Sequence, residues 1–131
     1  MSDALIAVQT AAVTALAGAP GLEALTGIYD GLPPRAVFPY LSIGGALVSD
    51  WSTKTGTGRE IRFAVTIWDE GEAALALHQL MGAAEAALLA LPRDLDGWRI
   101  ASNVFLRSLV ARDAAGPWAG LVEHRVRILE A

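Results

Sequence analysis

The stretch Arg59-Glu60-Ile61-Arg62-Phe63-Ala64-Val65-Thr66-Ile67-Trp68-Asp69 decides the architecture. Ile61, Phe63, Val65 and Ile67 alternate with Arg62, Ala64, Thr66 and Trp68. Successive side chains of a strand point to opposite sides of a sheet, so this period of two marks a strand with one buried face. The other face, from Arg59 to Trp68, is amphipathic and meets either solvent or a neighbouring subunit.

Working outward, Asp69 stands where an N-cap belongs, and Glu70 and Glu72 place negative charge near the positive end of a helix dipole. The spacing predicts a helix from there to Leu91, ended by Pro92, with Leu77, Met81, Ala84, Leu88 and Leu91 on one face. Upstream, Tyr40–Val48 reads as a strand, with Gly44-Gly45 marking a bulge or a close backbone approach. The polar run 49–58 between the two strands is too long for a two-residue hairpin turn. Prolines 33, 34 and 39 bar a central strand before Tyr40, which makes Pro33–Pro39 a rigid surface loop.

At the amino terminus, Ser2 or Asp3 can cap a helix that ends at Gly18-Ala19-Pro20-Gly21, with Leu5, Val8, Ala12 and Leu16 forming its apolar stripe. At the other end, Asp94-Leu95-Asp96-Gly97 is a turn, Trp98–Arg107 a strand, and Leu121–Leu129 a last strand in which Val122, His124, Val126 and Ile128 alternate with Glu123, Arg125 and Arg127. The order predicts an α+β fold in a single domain over residues 1–131. Its sheet is antiparallel and four-stranded, mixed at most, with an N-terminal helix and one long central helix packed on one face.

Composition narrows the function. Of 131 residues 53% are apolar and 18% are charged, against a typical charged fraction of about 25%. A small domain with so few charges either hides part of its surface against other subunits or reflects an alanine-rich, lysine-poor coding bias. The net charge of −4 argues against nonspecific nucleic-acid binding, which depends on neutralising phosphates. The chain has no cysteine, which excludes disulfides, thiolate nucleophiles and sulfur-ligated metals. Residues 4–22 carry no charge, but their polar and helix-breaking residues and acidic flank suit a half-buried helix better than a membrane or export segment.

Catalytic chemistry finds little support. His78 and His124 stand alone, without a metal-ligand spacing beside them. Gly56-Thr57-Gly58 leads into a strand and lacks the lysine of a phosphate loop. No cofactor is expected, and the chain is read as a non-enzyme. Asp50, Trp51, Lys54 and Arg59 gather an aromatic ring and both signs of charge on one hairpin, a composition suited to docking on another protein. Trp51, Trp98 and Trp118 fall at strand ends or turns, where a large ring is either a plug at the rim of the core or an interface anchor. The candidate contact residues are therefore Asp50, Trp51, Lys54, Arg59, Trp68 and Trp118.

In Ile28-Tyr29-Asp30-Gly31-Leu32-Pro33 followed by Phe38-Pro39-Tyr40-Leu41-Ser42-Ile43-Gly44, the chain resembles the tail terminator, or tail completion, proteins of long-tailed phages and phage-like gene transfer agents. The resemblance continues in the Trp51–Gly58 hairpin, in Ile67-Trp68 before a Glu/Ala-rich helix, and in Arg112-Asp113 before a strand containing Glu123-His124-Arg125-Val126. One departure is Ala114-Ala115-Gly116-Pro117-Trp118, where the family pattern leads one to expect an Asp-Gly turn.

The resemblance implies a structural virion protein, assembled in the bacterial cytoplasm and placed at the head-proximal end of the tail. It implies a homo-oligomeric ring, usually of six copies, that caps the tail tube protein and joins it to the head-side connector or stopper, with DNA passing through its lumen and no membrane involved. A cyclic ring needs two different, mutually complementary side surfaces. Two other readings stay open: another head–tail joining protein, and a small ligand-binding α+β dimer, which would need a pocket with converging polar groups.

Overall fold

The computed structural model describes residues 3–112, 114 and 116–131. Helix α1 (Ala4–Ala17) leads into β1 (Ile28–Asp30), β2 (Tyr40–Asp50) and β3 (Gly58–Asp69). Helix α2 (Leu75–Leu89) is followed by β4 (Asp94–Leu95), β5 (Trp98–Arg112) and β6 (Trp118–Glu130). The strands form one sheet in the order β1-β2-β3-β6-β5-β4, in which β1 is parallel to β2 and every other pair is antiparallel.

This corrects the expected four-stranded sheet with one long central helix. The sheet has six strands and is mixed, and the two helices are almost equal, with 14 and 15 residues. The two additional strands are the edge pieces β1 and β4, three and two residues long. Neither is long enough to show an alternating pattern.

The central helix is shorter than expected because β3 continues through Asp69, which is paired with Trp118 of β6. Gly71 then takes a φ of +133°, a backbone conformation open chiefly to glycine, and α2 begins only at Leu75. Asp69, Glu70 and Glu72 are thus not its cap. The residue in the cap position is Ala74, which makes no side-chain capping bond, while the Asp69 carboxylate accepts the neighbouring Glu70 N–H at 2.8 Å. Helix α1 does begin as expected: the Asp3 carboxylate accepts from the amides of Leu5 and Ile6. Ser2, the other cap candidate, lies outside the described residues.

The core is built on the period-two face. Ile61, Phe63, Val65 and Ile67 of β3 pair across to Val126, His124, Val122 and Gly120 of β6. Helix α2 covers this face with Leu77, Ala84 and Leu88, and α1 adds Val8, Ala12 and Leu16, all buried. Gly120 permits the approach, because a Cβ there would lie 2.5 Å from Met81 Sδ and 3.0 Å from Leu77 Cδ1. Trp98 is also buried, which makes it a plug of the core.

Three bulges bend the sheet. One lies at Gly44/Ala46, where the glycine pair marked it, and Gly45 has a φ of +63°. The other two, at Ile100/Ser102 and Phe105/Arg107, lie in β5, which runs five residues beyond its expected end at Arg107. The Pro33–Pro39 segment is largely exposed and is tied down where Thr26 donates its N–H to Pro39 O and its hydroxyl to Val37 O.

Candidate functional site

The candidate contact residues divide between opposite ends of the sheet. Asp50, Trp51, Lys54 and Arg59 belong to the β2–β3 hairpin, whereas Trp68 and Trp118 lie where β3 ends and β6 begins. Ten residue steps along β3 separate Arg59 from Asp69, or ~33 Å at the rise of an antiparallel strand. The six residues therefore make two surfaces.

At the hairpin end, Arg59 Nη1 lies 3.1 Å from Asp50 Oδ1, and the same carboxylate oxygen accepts the Ser52 hydroxyl at 2.6 Å. Ser52 Oγ in turn accepts the Gly58 N–H at 3.0 Å, so the base of the hairpin is held by a short polar chain. Trp51 is half-buried, with the Arg127 guanidinium 5.4 Å from its ring centroid, a cation–π geometry that joins the hairpin to β6. Lys54 is exposed at the tip.

At the other end, the Trp68 indole N–H donates to Ser42 Oγ at 3.0 Å and its ring stacks on Tyr40, which also meets Tyr29 and Phe38. The Trp118 indole N–H donates to Gly71 O at 3.1 Å, and the Arg112 guanidinium lies 4.8 Å from the ring. Trp68 and Trp118 are both half-buried, each presenting part of its ring at the surface. Asp113 and Ala115 are not among the described residues, so the Arg112-Asp113 motif and the departure around 114–118 lie partly outside them.

One feature of the surface was not singled out by the sequence reading. On the sheet face away from the helices, Glu123 lies 3.3 Å from Arg62 and 3.1 Å from Arg107, while Glu60 lies 2.9 Å from Arg127 and 3.9 Å from Arg125. Each cluster holds two arginines and one glutamate. Burial of Glu123 alone would raise its pKa, but the hydrogen bonds from Arg107 and Arg62 outweigh that and hold it below the ordinary carboxylate value. The Arg127 hydrogen bond lowers that of Glu60, against a smaller opposing effect of burial. The polar alternation Glu60-x-Arg62 and Glu123-x-Arg125-x-Arg127 was the signal that could have found this face.

His78 is exposed on α2, while His124 is fully buried in β6. Among the described residues neither imidazole nitrogen of His124 has a hydrogen-bond partner, and burial pushes its pKa below the ordinary histidine value. Among the described residues no group of three or more His, Cys, Asp or Glu side chains is placed to hold a metal ion. Among them, too, no helix is long and apolar enough to cross a membrane.

The distinctive chemistry is thus spread over two aromatic and charged ends and a charged sheet face. The chain belongs to the tail completion proteins of phages and phage-like particles: the family described as Tail completion protein gp17 matches residues 4–129. Among solved structures it is similar to a chain from the virion of a native gene transfer agent particle, at 26% identity and a TM-score of 0.86, covering 98% of this chain and 99% of that one. No curated protein matches it.

Proposed function

We propose that this protein is a tail terminator: copies of the chain, six as the family resemblance implies, form a ring that caps the finished tail tube and joins it to the head-side connector. The family match along residues 4–129 is the observation that carries this reading. The role is structural and non-enzymatic, uses no cofactor, and belongs to the head-proximal end of the tail, assembled in the bacterial cytoplasm. DNA passes through the lumen of the ring. The division of contact residues between two ends of the sheet supports the reading, because a cap must meet one partner below and another above. In this arrangement Asp50, Trp51, Lys54 and Arg59 meet neighbouring subunits or the tube, and Trp68 and Trp118 form the opposite contact surface.

Deleting the gene in a producing strain and imaging the lysate tests the proposal. An uncapped tube keeps its growing end, so the expected products are overlong tubes that are not joined to heads. Tails of normal length beside leaking heads would instead assign the chain to the connector or stopper and overturn the terminator reading.

A further inference from the structure

Each edge of the sheet is covered only over a short stretch. Strand β1 pairs with Leu41, Ser42 and Ile43 of β2, and among the described residues no strand lies outside β2 from Gly44 to Asp50, all seven of which are exposed. On the far side β4 pairs with Trp98 and Arg99, Ile100 N–H donates to Arg93 O, and no described strand lies outside β5 from there to Arg112. Open edges carry rows of unpaired backbone groups, which soluble proteins blunt with charged side chains, lysine above all, with proline or with bulges. Residues 44–50 and 101–112 contain neither lysine nor proline, and their charged residues are Asp50, Arg107 and Arg112.

The two open edges match in height and run in opposite directions. The ladder aligns Asp50 with Arg59, Ile128 and Ile100 in one row, and Gly44 with Ala64, Glu123 and Arg107 in another. The open part of β2 is therefore level with residues 100–107 of β5. Three successive antiparallel pairings make β2 and β5 run in opposite directions. A copy placed alongside by simple rotation would present its β2 antiparallel to β5, and the same junction would repeat from copy to copy.

Side chains agree with this. Leu47 and Val48 on the β2 edge are 62% and 40% exposed, and Phe105 and Leu109 on the β5 edge are 39% and 52% exposed. The register puts Val48 and Phe105 on the helix-bearing face and Leu47 and Leu109 on the other. Each edge thus offers one uncovered apolar side chain to each face. The bulges at 44/46, 100/102 and 105/107 add the bend that a closed arrangement of sheets requires.

We propose that the β5 edge of one copy pairs, antiparallel and head to tail, with the open β2 edge of a second copy. Each contact uses one edge of each kind, so an open chain of copies keeps one free β2 edge and one free β5 edge, at its two ends, until the assembly closes. This deepens the terminator reading and rests on it for closure into a ring, though not for the pairing itself.

The natural chain has no cysteine, so introduced thiols are the only ones in it. Leu47, Val104 and Leu109 share the helix-free face, and facing strand residues can come within disulfide reach. Particles carrying L47C/V104C or L47C/L109C, oxidised and run on a non-reducing gel, are expected to give a ladder of covalent multimers with at least one of the pairs, and the single variants only monomer. V48C/F105C repeats the test on the other face. Dimers from L47C, V104C or L109C alone would overturn the proposal in favour of a two-fold contact. Monomer from all three pairs, in particles that contain the chain and have normal tails, would also overturn it while leaving the terminator reading intact. If the chain is absent from the particles, the terminator reading fails, and the same oxidation of the concentrated purified protein decides the pairing by whether it gives the ladder.

Discussion

His124 lies against Phe63 across β3 and β6, with ring centroids 6.3 Å apart and 29° between the ring planes. Phe105 closes the other side edge-on at 5.9 Å, so the imidazole lies between aromatic rings, and among the described residues neither nitrogen is hydrogen-bonded. Desolvation favours the neutral ring and lowers its pKa in the folded state. The sign follows: the unfolded chain binds the proton more readily, so the stability is fully present above the unfolded value of 6.5 and is lost as pH falls from there through the lower folded value. We expect the melting temperature to drop between pH 7 and pH 5. His124→Leu should flatten that drop and raise stability at pH 7 by about 1 kcal/mol, because an unpaired polar group is replaced by an apolar one. Thermal melts by circular dichroism across this range check both; an unchanged slope in the variant would count against His124 as its source.

Gly120 sets how closely α2 can approach the sheet. A methyl group there would overlap Met81 Sδ and press on Leu77, and overpacking a filled core costs about 1–3 kcal/mol. Gly120→Ala is expected to destabilise by that amount in urea unfolding. In a double-mutant cycle Gly120→Ala should cost less on a Met81→Ala background than in the natural chain, since the thioether is the nearer obstacle.

How far the sequence could be read follows the periodicity of each segment. Ile61 to Ile67 keep an unbroken alternation and sit where expected, as does the bulge marked by Gly44-Gly45. The start of α2 was hidden because Asp69, Glu70 and Glu72 have the composition of a helix cap. The pairing of Trp68 and Asp69 with β6 and the positive φ of Gly71 prevailed over that local preference. In β5 the first bulge shifts Asn103 and Phe105 out of phase with Trp98 and Ile100 and the second brings Ser108 and Val110 back, so no single period marks its full length. Among surface features, Asp50 and Arg59 lie nine positions apart and could be grouped from the hairpin alone. Arg62 and Glu123 are 61 positions apart and Glu60 and Arg127 are 67, contacts that only the β3–β6 register brings together.

The bulge in β2 depends on Gly45. Its φ of +63° is the left-handed region, where a side chain costs roughly 1–2 kcal/mol, more for a β-branched one. A Cβ at this position would meet no atom within 4 Å, so the cost is one of backbone conformation alone. Gly45→Val is expected to lower stability by about 2 kcal/mol, and Gly44→Ala, next to it and without a positive φ, by clearly less. Equal losses in chemical denaturation would remove the conformational explanation.

The tip of the β2–β3 hairpin can be separated from its base. Trp51 N–H donates to Gly58 O at 3.0 Å, Glu130 N–H to Thr57 O at 2.9 Å, and Arg127 covers the Trp51 ring, so the base is anchored to β6. Residues 53–56 beyond it are exposed, closed on themselves by Thr53 N–H to Gly56 O at 2.9 Å. Replacing 53–56 with Asn-Gly removes Lys54 and supplies a two-residue turn suited to a hairpin. Surface changes away from caps and packing usually shift stability by no more than about 0.5 kcal/mol. The shortened chain is therefore expected to fold with nearly the same urea midpoint, yet to fail to support tail assembly when it replaces the natural gene. A variant that folds normally and still yields complete particles would show that the tip makes no contact the particle needs.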